Sequence, residues 1–204
     1  MTLYDLKPRF QALLRPLVGH LQRAGITANQ VTLAAAAGSL LVGAAIIALG
    51  APPLAFLLVP LWMLARMALN AIDGMLAREF GQKTRLGAYL NEIADIVSDA
   101  ALYAPFALLP PFGPAGVGLV VVLAVVAEYA GVLGPMVGAQ RRYDGPLGKS
   151  DRALAFGALG AWAALAGGLP GWAAWIMPLL AVLLVITAVN RVRAGLLEAE
   201  GART

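Results

Sequence analysis

The chain contains no cysteine. That excludes disulfide scaffolds, thiolate metal sites, cysteine nucleophiles and thiol redox chemistry together. Charge is also scarce, at 13% of residues, where a soluble domain carries about one quarter. No basic stripe is interleaved with aromatics, so nucleic acid is not an expected partner. Internal repeats and low-complexity tracts are missing as well. What fills the chain is apolar: 60% of its 204 residues, with a mean hydropathy of +0.79. This is the composition of a membrane protein, and the length allows one domain.

A span needs about 20 apolar residues to cross roughly 30 Å of hydrocarbon. Six segments qualify, at about 28–50, 53–77, 86–109, 115–139, 152–168 and 171–190. They are separated by breaker-rich turns at Gly50 to Pro53, Pro110 to Pro114 and Gly167 to Pro170. Lys7, Arg9, Arg15 and Arg23 precede the first span. Arg78, Lys83 and Arg85 follow the second, Arg141, Arg142, Lys149 and Arg152 the fourth, and Arg191, Arg193 and Arg203 the sixth. Fourteen of the fifteen Lys and Arg thus fall on one side. The positive-inside rule puts that side, and both termini, in the cytoplasm of an inner-membrane protein.

Residues 1–26 lack the signature of a signal peptide. Leu3, Leu6, Phe10, Leu13, Leu17 and Leu21 recur at helical spacing, with Asp5, Arg9, Gln11 and Arg23 elsewhere around the wheel. The pattern predicts an amphipathic helix, bent at Pro16, lying in the cytoplasmic interface or docked against the bundle. The expected architecture is therefore all-α: this helix over 1–26, a six-helix transmembrane domain over 27–196 and a cytoplasmic tail over 197–204.

Polar groups inside hydrocarbon are costly and mark candidate sites. The second span ends R-M-A-L-N-A-I-D-G-M-L-A-R and the third begins R-L-G-A-Y-L-N-E-I-A-D-I-V-S-D. Helical spacing puts Arg66, Asn70, Asp73 and Ala77 on one face, Asn91, Asp95 and Ser98 on one face of the next helix, and Glu92, Asp95 and Asp99 on an adjacent face. The short connection predicts antiparallel neighbours with these faces converging. Asn70, Asp73, Asn91, Glu92, Asp95 and Asp99 would supply oxygen ligands without sulfur or imidazole, a set suited to Mg²⁺ or Mn²⁺. The alternative is interhelical hydrogen bonding alone. Glu128 in the fourth span is expected to pair with Arg66, since an unpartnered buried charge is expensive.

The pattern D-x2-D-G-x2-A-R-x8-G-x3-D-x3-D marks the CDP-alcohol phosphotransferases, integral membrane enzymes of phospholipid synthesis, and this chain resembles them. The corresponding stretch reads Asn70, Asp73-Gly74, Ala77-Arg78, Gly87, Asn91, Asp95, with every spacing kept and Asn at the first and third acidic positions. The resemblance implies transfer of a phosphatidyl-type group from a CDP-linked lipid, such as CDP-diacylglycerol, to an alcohol, with release of CMP. It implies divalent metal at Asn70, Asp73 and Asn91, and Asp95 as general base toward the alcohol. Asp73, Gly74, Ala77, Arg78 and Gly87 would meet the CDP portion, and a homodimer is implied too.

An amide oxygen ligates without charge, so the two Asn residues weaken Mg²⁺ binding unless Glu92 or Asp99 supplies what is missing. Lys149, Arg152 and Arg191 are candidates for binding the acceptor, on the hypothesis of a phosphorylated polyol, against a role in topology alone. Two rival readings stay open: a small cation-coupled transporter, and a catalytically degenerate relative with a binding role.

Overall fold

The computed structural model describes residues 3–201, with side chains from residue 10 onward. The side chains of Leu3, Asp5, Leu6, Lys7 and Arg9, and the whole of Arg203, lie outside the described residues. Seven helices follow in order: α1 (Leu3–Arg23), α2 (Ala28–Ala48), α3 (Leu58–Glu79), α4 (Arg85–Tyr103), α5 (Pro114–Val132), α6 (Lys149–Ala166) and α7 (Ile176–Gly201). Single 3₁₀ turns at Pro53–Leu57, Ala104–Leu108, Gly134–Val137 and Gly171–Trp175 lead into or out of them. No strand occurs among the described residues.

Local chemistry sets the boundaries. Thr27 and Gln30 form a capping box at the start of α2: the Thr27 hydroxyl accepts from the Gln30 N–H at 3.2 Å, and Gln30 Oε1 accepts from the Thr27 N–H at 2.9 Å. Thr84 caps α4 by accepting the Gly87 N–H at 2.8 Å. Pro114 opens α5 at a position where its missing N–H costs nothing.

Each of the six expected segments is helical, and α7 runs on without interruption to Gly201. Four are long and apolar enough to cross a membrane: α2, α3 with its leading turn, α5, and α7 with its leading turn. The other two carry the polar groups. Arg85, Glu92, Asp95 and Asp99 lie along α4, while α6 is shorter and opens with Lys149, Asp151 and Arg152. The outer surface is greasy, with Leu33, Leu41, Val122, Val126, Leu179 and Val182 exposed, and Trp172 and Trp175 exposed at the start of α7's segment. Such a surface has lipid as its solvent, so the chain is an all-helical, multi-pass membrane protein.

The helices α3 and α4 meet through side chains, in the ion pairs of Arg66 with Asp95 and Asp99, while α2 packs closely against both. The contact between α2 and α4 is so close that a Cβ on Gly43 would fall 2.2 Å from the Ala101 carbonyl oxygen. On its other side α2 meets α3, where Trp62 Nε1 donates to the Ser39 hydroxyl at 2.9 Å. The five residues between α3 and α4 are enough to step around the end of α2. Behind this trio, α6 packs on α3 and the Pro53–Leu57 turn, and α5 on α7. Phe56, Tyr103, Phe106 and Phe156 form an aromatic centre there, with Tyr103 stacked on Phe156 at 3.9 Å between ring centroids.

Helix α1 docks. Val18 is fully buried, and with Leu14 and Leu21 it packs on Ile72, Met75 and Leu76 of α3 and Ala28 and Val31 of α2. Leu13 and Leu17 remain exposed on the far side. The helix continues through Pro16 as one element, and Arg15 reaches Glu79 at the end of α3 in an exposed ion pair of 2.9 Å.

Candidate active site

The facing polar stretches of α3 and α4, with the start of α2, border a cavity of about 470 Å³. Asn70, Asp73, Gly74, Ala77 and Arg78 line it from α3, Gly87, Asn91 and Glu92 from α4, and Lys83 from the connecting loop. Asn29 and Thr32 of α2, with Gln82 and Thr84 of the loop, complete the wall. Gln82 is itself fixed, its Oε1 accepting the Ala28 N–H at 2.7 Å. Arg85, one residue beyond Thr84, is exposed and not part of the lining.

Asp73 is the distinctive group here. It is 7% exposed. The Thr32 hydroxyl donates to Asp73 Oδ2 at 2.8 Å, and among the described residues no Lys or Arg nitrogen lies within 4.0 Å of the carboxylate. A buried carboxylate held by hydrogen bonds with no cation beside it is costly, so the cavity is short of positive charge. The Asn70 and Asn91 amides make no hydrogen bond among the described residues. No group of three or more His, Cys, Asp or Glu gathers among the described residues to hold a metal ion. The donor set is one free carboxylate, two amide oxygens and Glu92. That chemistry fits a hard divalent cation, with Asp73 as its main charged ligand.

Behind the cavity the situation is reversed. Arg66 Nη1 lies 2.6 Å from Asp99 Oδ1, and Nη2 lies 3.0 Å from Asp95 Oδ1. Lys149 Nζ takes the other Asp95 oxygen at 2.5 Å. Arg152 Nη2 bridges Asp99 Oδ2 and Glu128 Oε1, both at 3.0 Å. Arg191 Nη1 lies 3.3 Å from Glu128 Oε2 and donates to the Ala127 carbonyl at 2.6 Å. Arg141 pairs with Glu92 and reaches Glu128 Oε2 at 3.5 Å. Five cations thus meet four carboxylates in one network that ties together α3, α4, α5, α6 and α7, and the cavity's Asp73 is a fifth acid close by.

The structure therefore brings Asn70, Asp73, Asn91 and Glu92 to one cavity and sets Asp95 and Asp99 into the ionic network. The expected Arg66–Glu128 pair does not form. Arg66 is taken by the two α4 acids, and Glu128 is answered by Arg152, Arg191 and Arg141. Of the acceptor candidates, Arg152 and Arg191 are each 2% exposed and paired with carboxylates, while Lys149 is half-buried on Asp95. Thr32 and Asn29 were not anticipated. The signal was present in T-A-N-Q-V-T at the start of α2, where Asn29 and Thr32 stand three apart on one face of an otherwise apolar helix.

Residues 25–188 match the family model described as CDP-alcohol phosphatidyltransferase. The inner membrane protein YnbA of Escherichia coli K12 is 48% identical over 200 residues, covering 97% of this chain and 98% of that protein. A phosphatidylinositol phosphate synthase of Mycolicibacterium smegmatis is 34% identical over 109 residues, 53% of this chain and 47% of that one. Among solved structures, the Mycobacterium tuberculosis phosphatidylinositol phosphate synthase with CDP-DAG bound has a similar fold, with a TM-score of 0.74 at 23% identity over 88% of this chain and 92% of that one. The same synthase in complex with manganese and citrate gives 0.73 at 22%, over 88% and 87%. With all of its motif but Asp95 lining one cavity and its family model spanning most of its length, the chain belongs to the CDP-alcohol phosphatidyltransferase family and is an enzyme of that class.

Proposed function

We propose that the chain transfers the phosphatidyl-type group of a CDP-linked lipid, CDP-diacylglycerol or a close relative, to an alcohol, releasing CMP. The observation that carries this reading is the cavity itself: the family motif lines it except for Asp95, and its Asp73 carboxylate has no cation beside it among the described residues. Asn70, Asp73 and Asn91, with Glu92 beside them, would hold Mg²⁺ or Mn²⁺, whose charge screens a diphosphate and the negative charge that develops on the leaving CMP. Arg78 and Lys83 meet the same diphosphate from the rim. Gly74 and Gly87 keep the wall low where the cytidine side approaches, and Ala77 lies one turn beyond Gly74.

Asp95 takes the proton of the attacking hydroxyl. Arg66 and Lys149 keep that carboxylate ionised and aimed, while Asp99 serves by holding Arg66 and Arg152 in place rather than by touching substrate. Lys149, Arg152 and Arg191 border the side from which the alcohol comes. The six helices α2–α7 all span the membrane in this reading, with α4 and α6 shielded by their neighbours. The cavity, the termini and most Lys and Arg face the cytoplasm, and the protein works as a homodimer.

The test is CMP release by purified protein from CDP-diacylglycerol with Mg²⁺ or Mn²⁺ and a panel of alcohols. Wild-type protein is expected to release CMP with at least one acceptor, and Asp95→Asn to release none while staying folded. Nucleotide binding without turnover, or unchanged turnover in Asp95→Asn, would refute respectively the activity and the role of Asp95.

A further inference from the structure

We infer that the acceptor is an alcohol without a phosphate, such as a free polyol, and that Glu128 and Glu92 set this specificity. The inference rests on the transferase reading and deepens it. An acceptor phosphate, carrying about −1.5 to −2 at neutral pH, needs guanidinium or ammonium groups free to turn toward it. The candidates on the acceptor side are all engaged by the chain's own carboxylates. Glu128 presents one oxygen to Arg152 at 3.0 Å and the other to Arg191 at 3.3 Å and Arg141 at 3.5 Å. Glu92 holds the other end of Arg141, and Asp95 holds Lys149.

Arg141 keeps one buried N–H donor without a partner, at Nε, and Arg152 keeps two, at Nε and Nη1. The space between its side chain, Tyr103 and Val121 is about 10 Å³, the room of one water and far short of a phosphate. A phosphate entering the network would lie beside Glu128 and Glu92 in a medium of low dielectric, like charge against like. If instead it displaced Glu128 from its guanidinium partners, that carboxylate would be buried and unpaired. A hydroxyl brings no charge and asks only for an oxygen to take its proton, which Asp95 supplies. The built-in acids therefore select by exclusion, rejecting the phosphorylated form of an acceptor whose free form is admitted.

Two measurements test this, one of which does not depend on turnover. Calorimetry in detergent with glycerol 3-phosphate, myo-inositol 1-phosphate and inorganic phosphate is expected to give no saturable binding to wild-type protein. In Glu128→Gln, and in the half-exposed Glu92→Gln should the first variant fail to fold, saturable binding is expected to appear. CMP release from CDP-diacylglycerol with matched pairs, glycerol against glycerol 3-phosphate and myo-inositol against its 1-phosphate, is expected to favour the free alcohol. The margin expected in kcat/KM is at least about tenfold, shrinking by a similar factor in the Gln variants. Wild-type protein that binds a phosphorylated polyol, or that turns it over faster than the free one, would overturn the inference. So would Gln variants that bind phosphate no better than wild type. Absence of CMP from every acceptor would instead remove the transferase reading and leave the binding measurement to decide this one.

Discussion

The cavity and the ionic network are a few residues apart on the same helices and treat charge in opposite ways. Asp73, at the cavity, has a hydroxyl and no cation beside it. Asp99, two turns deeper among the next helices, has a guanidinium on each oxygen. A buried carboxylate without a cation is costly to the fold, and on the proposed reading it is where a divalent ion would be received. A carboxylate with a guanidinium on each oxygen, as at Asp99, holds helices together. Asp95 stands between the two cases, paired with Arg66 and Lys149 yet proposed as the base.

The comparison is broken most directly at its two poles. Asp73→Asn is expected to lower CMP release by about 10²–10³-fold, as for loss of a group that positions transition-state charge compensation, with the unfolding temperature held or raised. A variant that loses both activity and folding would put Asp73 with the frame. Arg152→Leu should do the reverse. It strips one guanidinium from both Asp99 and Glu128 and is expected to cost about 3–5 kcal/mol of stability, read in thermal or denaturant unfolding in detergent. Activity per folded molecule should fall far less than in Asp73→Asn.

Thr32→Val sharpens the description of the cavity. The hydroxyl that orients Asp73 is lost, a hydrogen bond to a carboxylate of roughly 1 kcal/mol. The Mn²⁺ concentration for half-maximal turnover is expected to rise about fivefold, and an unchanged metal titration would detach Thr32 from the site. The smallest effect lies outside the membrane, in the loop between α5 and α6. There the Arg142 guanidinium holds the Asp144 carboxyl below the usual carboxylate range. Its stabilising effect is present above the ordinary Asp value of about 3.9 and disappears as pH falls below that through the folded-state value. Asp144→Asn should therefore lower the unfolding temperature slightly in the neutral region and leave the acid end of the profile nearly unchanged, so that the profile flattens.

Much of this was legible in the sequence. Apolar runs, turn-forming Gly and Pro, and the spacing of polar residues gave six helical segments, and the motif from Asn70 to Asp95 gave most of the cavity wall. Spacing along one helix says which residues share a face, and does not say which helix comes next to it. Nothing in the spacing along α3 and α4 points to α2, a nearly featureless helix whose start carries Asn29 and Thr32 into the cavity wall. The pairings failed for a related reason. Several acids lie on the neighbouring helices, and only the three-dimensional arrangement gives Arg66 Asp95 and Asp99 in place of Glu128. Burial of Arg152 and Arg191 could not be told from interfacial position either, since both stand near helix ends where cations commonly set topology.

The seat of Asp73 has one more consequence. A carboxylate taken out of water with no charge to answer it makes the protein weaker than it need be. A cation that settled there would relieve that weakness, so occupancy and firmness of the fold would rise together. On the proposed reading the ion that arms the enzyme would also be its internal rivet, and protein prepared in chelator should be the softest form of this molecule.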